Sequence, residues 1–307
     1  MAENDTASAN KAYFNKLAAE YDAKYEKTIL QLEKEIRKRK DFIGADWVVD
    51  DDDDDDDEEE DNESETAAQP AAAASGRSVR LLDYACGTGL ISRALAQFTT
   101  HCVGIDISEN MVAAYNARAE NQGLTTDEMH AYQGNLTDPS DPSPAAFASD
   151  DGNDGGRFRD FDVAGVGLGF HHFEDPELSA RRLVERLRPG GVFIILDFLP
   201  HEKMDHVLPA AHTVMHHGFS EERMRSIFEQ AGAGGDFRME ELGSGVVFGG
   251  HGHGHGHGHD DHGQDHGHGQ DHGHGHSHGE EKGHDHHGHG SGQGMKRRVF
   301  LARGTKV

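Results

Sequence analysis

From residue 79 onward, short apolar runs alternate with stretches in which apolar positions recur every three or four residues. The runs VRLLDYA, HCVGIDI, MHAYQGN, FDVAGVG and VFIILDF are rich in apolar or β-branched residues and bounded by Gly, Asn or Asp, which predicts strands. The segments 90–98, 109–121, 176–188 and 220–231 between most of them predict helices. Ser108 before ENM and Ser220 before EERM are expected N-caps. Nearly continuous apolar strands alternating with helices predict an α/β fold, a mostly parallel sheet covered on both faces.

Upstream, Phe14, Leu17, Tyr21, Tyr25, Ile29, Leu32 and Ile36 recur at helical spacing. They predict one amphipathic helix over 10–40 with these side chains on one face. It ends on RKRK (37–40), cations that suit the negative end of the helix dipole. We read this as a solvated helix end ahead of a nuclear localisation signal. The link DPSDPSPAAFASDDGNDGGR (138–157) breaks the alternation, and its prolines and glycines suit a surface loop. MEELGSGVVF (239–248) and KRRVFLAR (296–303) read as two strands of one overgrown hairpin. The closure cost of so long a loop rises only slowly with its length.

Composition changes this picture in two places. Residues 50–61 are twelve consecutive acids, followed by Glu63 and Glu65, and residues 251–290 hold sixteen of the twenty-five histidines. With −14 on the first segment and −6 on the second, a total of −27 leaves −7 for the rest, an ordinary balance for a folded domain. Both segments bury nothing and are expected to be disordered. The chain thus divides into an N-terminal helical lid (1–49), an acidic and Ala-rich linker (50–78), a core (79–249), a His/Gly-rich insertion (250–294) and a final strand (295–307).

Two cysteines, Cys86 and Cys102, make no disulfide framework, and no apolar signal-peptide core opens the chain. Location in the cytoplasm, extending to the nucleus, is the expectation. No apolar run reaches membrane-spanning length, since VFIILDFL is broken by Asp197. The negative charge argues against direct nucleic-acid binding. The tract from His251 to His289 offers imidazole to nickel, zinc or copper but no fixed geometry, so adventitious binding is expected over a specific metal site. The acid run could attract a basic protein; the simpler reading is a solvating linker.

The chemistry centres on LLDYACGTGLISRAL (81–95), where an apolar run meets Asp83, small residues and two glycines. It lacks GxxxxGK[ST], so no P-loop is expected, and Ser92 stands where a dinucleotide turn wants a third glycine. Asp106 ends the next strand, where an acid can accept hydrogen bonds from ribose hydroxyls. The third strand ends in Gly134–Asn135, FHHFEDP follows the fourth, and LRPGG introduces the fifth.

This series resembles the class I S-adenosylmethionine (SAM)-dependent methyltransferases, in particular the ubiquinone/menaquinone-biosynthesis type. The resemblance implies a doubly wound, seven-stranded, Rossmann-like sheet with SAM as cofactor. By it, Asp83 and the turn Ala85, Cys86, Gly87 and Gly89 lie against the methionine part of SAM. Asp106 takes the ribose, Ile107 and Met111 border the adenine, and Asn135 with Leu136 meets the adenine amino edge. Gly167 lies under the sulfonium end, and Tyr21 of the lid helix faces the cofactor. The family usually has glycine where this chain has Ala85, so a slightly wider turn is expected there. The Gly/His-rich chain also resembles filamentous-fungal methyltransferases of the VapB type, which implies a heterodimeric partner, a second methyltransferase.

Methyl transfer needs a base only if the nucleophile arrives protonated. His171 and His172, after the fourth strand, are the candidate catalytic residues, with His212, His216 and His217 behind them. The plainer reading has one of the pair packing on the cofactor and the other on the surface. The leading function is SAM-dependent methyl transfer to a small-molecule or protein acceptor. The alternatives are a regulatory methyltransferase-fold subunit acting in a heterodimer on protein or chromatin targets, and a metal-binding protein built on the histidine tract.

Overall fold

The computed structural model describes residues 6–48, 78–138, 157–203, 210–243, 245–248 and 295–307. The acidic run, nearly all of the 138–157 link and the His/Gly tract lie outside the described residues.

The elements in chain order are α1 (Thr6–Arg37), α2 (Lys40–Ile43), β1 (Arg80–Tyr84), α3 (Leu90–Leu95), β2 (His101–Asp106), α4 (Glu109–Asn121) and β3 (Met129–Gln133). Then come β4 (Phe161–Gly167), α5 (Pro176–Glu185), β5 (Leu187–Phe198), α6 (Glu221–Ala231), β6 (Gly235–Glu241), β7 (Val246–Phe248), β8 (Met295–Arg297) and β9 (Val299–Thr305). Seven strands form one sheet in the order β3-β2-β1-β4-β5-β9-β6. β1 to β5 run parallel, and β9 lies antiparallel between β5 and β6. The chain order reverses between β1 and β4. At such a switch point the loops part and leave a crevice beyond the carboxyl ends of the strands.

Alternate residues of the central strands enter opposite layers, as the period of two requires. Leu82, Ala164, Phe193, Ile195 and Phe300 pack with Phe228 of α6 and Leu183 of α5. Leu81, Val163, Ile194, Leu196 and Leu301 pack with Ile91 of α3 and with Leu32, Ile36 and Ile43 from α1 and α2. Both predicted serine caps form: Ser108 Oγ accepts from Met111 N, and Ser220 Oγ accepts from Arg223 N.

Three expectations are modified. The first concerns the lid helix, which buries Ala18, Thr28, Ile29, Leu32, Glu33 and Ile36, whereas Phe14, Leu17, Tyr21 and Tyr25 are half-buried. Its second half packs on the sheet layer, while its first half reaches across the strand tips. The helix predicted over 176–188 stops at Glu185 because LRPGG opens the twelve-residue strand β5. Finally, the terminal hairpin splits. β6 pairs with β9 in the main sheet, but β7 and β8 pair only with each other, in a separate two-stranded ribbon. Gly243 (φ 52°) and Gly245 (φ 91°) turn the chain out of the sheet through left-handed conformations that glycine adopts at little cost.

Candidate functional site

β1 delivers Asp83 to the carboxyl edge of the sheet, and the next residues must reverse into α3. Ala85 (φ 53°), Gly87 (φ 52°) and Gly89 (φ 99°) all take left-handed conformations to do so. Ala85 adopts the conformation a glycine would, at a cost of about 1–2 kcal/mol for its Cβ. A Cβ on Gly89 would lie 3.0 Å from the Tyr115 ring, whereas one on Gly87 would meet no atom within 4 Å. The backbone at Gly87 therefore faces open space while the turn beneath it is packed.

The two carboxylates organise this turn. Asp83, buried, accepts from Ser92 N (2.9 Å) and Ser92 Oγ (2.8 Å), and Tyr115 donates to Ser92 Oγ (2.7 Å). Burial pushes its pKa up to about 7, opposed by the Ser92 bonds and aided by the charge of Asp106. Asp106 accepts from Gly87 N (2.9 Å) on one oxygen and Ser108 N (2.8 Å) on the other, and burial raises its pKa too. A carboxylate has about four lone-pair sites, so each oxygen of Asp106 keeps capacity for a ligand hydroxyl.

Cys86 points its side chain into the core, and burial raises its thiol pKa well above normal. Only its backbone can face a ligand. Met111 is buried in the first turn of α4, and Ile107 is half-buried beside it. Asn135 Oδ1 accepts from Tyr84 OH, Thr137 N and Thr137 Oγ1, all at 3.0 Å, and the Tyr84 hydroxyl also takes Leu136 N. Gly167 ends β4 under α3, where a Cβ would lie 2.9 Å from Ile91 Cγ1. Tyr21 lies against Tyr25, its ring centroid 5.0 Å away, and Asp106 is close enough to help raise its phenol pKa. The turn, Asp106 and the lid tyrosine are thus brought together.

The lid contributes groups that periodicity could not reveal. Asn15 accepts from Ser108 Oγ (2.6 Å), and Asp22 accepts from Thr88 Oγ1 (2.6 Å) and pairs with Arg118. Each is polar and sits off the apolar stripe that predicted the helix.

At the β4 tip, Phe170–His172 forms a short 3₁₀ turn. The His171 and His172 ring centroids are 4.0 Å apart. His171 Nδ1 lies within hydrogen-bond distance, 2.9 Å, of Asp197 Oδ1. His172 Nδ1 lies 2.7 Å from the Thr213 carbonyl, and burial, then His171, drives its pKa down to about 3. His172 is therefore neutral, and it is half-buried rather than fully exposed. Asn10 Nδ2 donates to the His172 carbonyl (3.3 Å), and Phe14 stands edge-on to the His172 ring. His212 meets Tyr13, while His216 binds the Phe173 carbonyl and packs on Phe219. His217 stands edge-on to His201, with ring centroids 5.8 Å apart.

The donor set discriminates between ligands. Two buried carboxylates flank the turn, and the turn sequence CGTG offers no cation of its own. A pyrophosphate there would face like charge, whereas a nucleoside bearing a cationic group would be held by both acids. The pKa of Asp83 carries a consequence for the free protein. Its folded value, about 7, lies above the ordinary 3.8, so its burial is free of cost below 3.8, costs increasing stability as pH rises toward 7 and levels off above it. The fully developed cost is roughly 4 kcal/mol at 1.36 kcal/mol per pKa unit. Asp83→Asn is expected to remove it: urea midpoints of wild type should fall between pH 5 and pH 8.5, and those of the variant should fall less. Parallel curves would contradict this.

A family model described as a methyltransferase domain matches residues 19–234. The chain is 29% identical over 163 residues to an uncharacterized methyltransferase (C1347.09) of Schizosaccharomyces pombe, covering 51% of this chain and 53% of that one. It is 30% identical over 126 residues to the demethylmenaquinone methyltransferase of Thermus thermophilus, covering 40% and 49%. The chain spans about half the length of these curated relatives. The crystal structure of the YcgJ protein from Bacillus subtilis aligns over 75% of this chain and 92% of that one, with 14% identity and a TM-score of 0.47.

Proposed function

This chain belongs to the methyltransferase-domain family, and from that premise we propose that it transfers a methyl group from SAM to a small molecule held beside His171. The observation that carries the reading is the pair of buried carboxylates, Asp83 and Asp106, around a turn open to a ligand at Gly87. SAM supplies an electrophilic methyl on a cationic sulfur: the acceptor's lone pair forms the new bond, and the carbon–sulfur pair stays with S-adenosylhomocysteine.

The chain's own residues do the rest. Asp106 keeps lone pairs for the ribose hydroxyls while its two backbone donors lock its orientation. Asp83 stands behind the turn on the side assigned to the amino-acid part, and a bound cation there would favour its ionised form. Asn15 and Asp22 tie α1 across the crevice through Ser108 and Thr88, which limits water at the reacting atoms. Most of the acceleration then comes from holding donor and acceptor in line.

Placement of His171 favours a small acceptor. It is 6% exposed, beneath the 210–219 segment and beside His172, which Phe14 of the lid helix packs against. A site so enclosed suits a small molecule better than a folded protein surface. Calorimetry with SAM and S-adenosylhomocysteine tests the cofactor, and transfer of labelled methyl into fractionated cell extract tests the acceptor. Affinity for both ligands and label in the small-molecule fraction are expected. Absence of affinity would end the reading, and label confined to protein would end the choice of acceptor.

A further inference from the structure

Asp197 is fully buried near the end of β5 and receives three N–H groups. His171 N reaches Oδ2 at 3.0 Å, Phe198 N reaches Oδ1 at 2.7 Å, and His171 Nδ1 lies 2.9 Å and 3.1 Å from the two oxygens. A carboxylate so fully buried relies on these donors to offset its lost hydration. Because it can only accept, His171 must carry a proton on Nδ1 and leave a lone pair on Nε2.

The ring has little freedom to turn. Met215 N and His216 N both donate to the His171 carbonyl at 3.0 Å. Phe198 and His172 bracket the imidazole, with centroids at 5.0 Å and 4.0 Å. Among the described residues, no hydrogen bond is made to Nε2.

We propose that Asp197 is a positioning residue that sets the tautomer of His171, and that the methyl acceptor is a molecule whose nucleophilic oxygen arrives as a hydroxyl. The inference rests on the methyl-transfer reading for its reaction and on geometry alone for its tautomer. The acceptor O–H gives its proton to Nε2 as its oxygen bonds the methyl carbon. The carbon–sulfur electron pair remains on sulfur, and the imidazolium formed faces Asp197 until it returns the proton to water. An acceptor that is already a free amine or a carbanion needs no such base, so with those classes the dyad would be idle.

The other titratable groups facing His171 are His172 in the same turn, His201 after β5 and His217 from the 210–219 segment. Arg297 acts on both His201 and His217, and Lys203 on His217. Asp197 is the group among these that can stabilise a positive imidazole.

The test uses the full-length protein labelled with ¹⁵N-histidine, with His171→Gln to assign the resonance. In wild type, His171 should show a protonated Nδ1 and an unprotonated Nε2 above neutral pH. Asp197→Asn should shift protonation toward Nε2. With the small-molecule extract fraction that takes up labelled methyl as acceptor, it should lower the methyl-transfer rate by about 10²–10⁴-fold, the usual worth of a positioned base.

Wild-type His171 carrying its proton on Nε2 would overturn the proposal even if Asp197→Asn fails to fold. Methylation found on carbon or on an amine would overturn the acceptor class. Failure of SAM to bind would instead strike the proposed function and leave the tautomer result standing.

Discussion

Asp106→Ala is expected to lower SAM affinity by about 10²–10⁴-fold, because two hydrogen bonds to a charged acceptor are worth about 1.5–3 kcal/mol each. The carboxylate is held from behind by Gly87 N and Ser108 N, so it does not reorganise when the ribose arrives. Alanine removes the acceptor and also frees both N–H groups at the turn. Some of the lost affinity is therefore lost order in the loop. Asp106→Asn separates the two effects: it keeps the volume and one acceptor oxygen, and it should bind more weakly than wild type and more tightly than alanine. Thermal unfolding of the free variants reports the structural share. Calorimetric affinity for Asp106→Ala within about threefold of wild type, under 1 kcal/mol, would remove Asp106 from the cofactor site.

The second large effect falls on turnover rather than on cofactor binding. His171→Ala should reduce methyl transfer by about 10²–10⁴-fold, while SAM affinity changes by less than about threefold. The separation follows from position. The carboxylates proposed to hold the cofactor lie at the β1 and β2 tips, whereas His171 lies in the turn after β4 and bonds to β5 and the 210–219 segment. Alanine would leave the Asp197 carboxylate without its ring N–H, so the variant should also unfold at lower temperature. Single-turnover rates on SAM-saturated protein isolate the chemical step from that loss. Unchanged turnover in a folded variant would show that the acceptor needs no base, and His171 would revert to a packing residue.

Much of the architecture is legible in local pattern. Each strand of the parallel half carries an apolar run because both its faces are covered, and Ser108 and Ser220 announce their helices through backbone chemistry that needs no distant partner. Asp83, Asp106 and Asn135 stand where apolar runs end, and in a parallel sheet such ends converge on one edge. Spacing alone was therefore enough to bring them together.

Other features depend on pairings the chain pattern does not encode. Asp197 reads locally as a charge interrupting VFIILDFL. It becomes the partner of His171 because β4 and β5 lie side by side, with Gly167 opposite Leu196. The polar residues of α1 that meet Ser108 and Thr88 were hidden because an amphipathic stripe reports the buried face and not the groups that bridge to loops. The split of the terminal hairpin had a visible cue in LGSG, but only the competition of β9 for β5 and β6 decides which half stays in the sheet. The sequence by itself determined which residues form strands and helices and which acids reach the carboxyl edge, since those follow from burial period and backbone capping. The tertiary structure alone decided which of those residues touch, and so which carry a proton and where, because contacts between residues far apart in the chain are set by strand order and register.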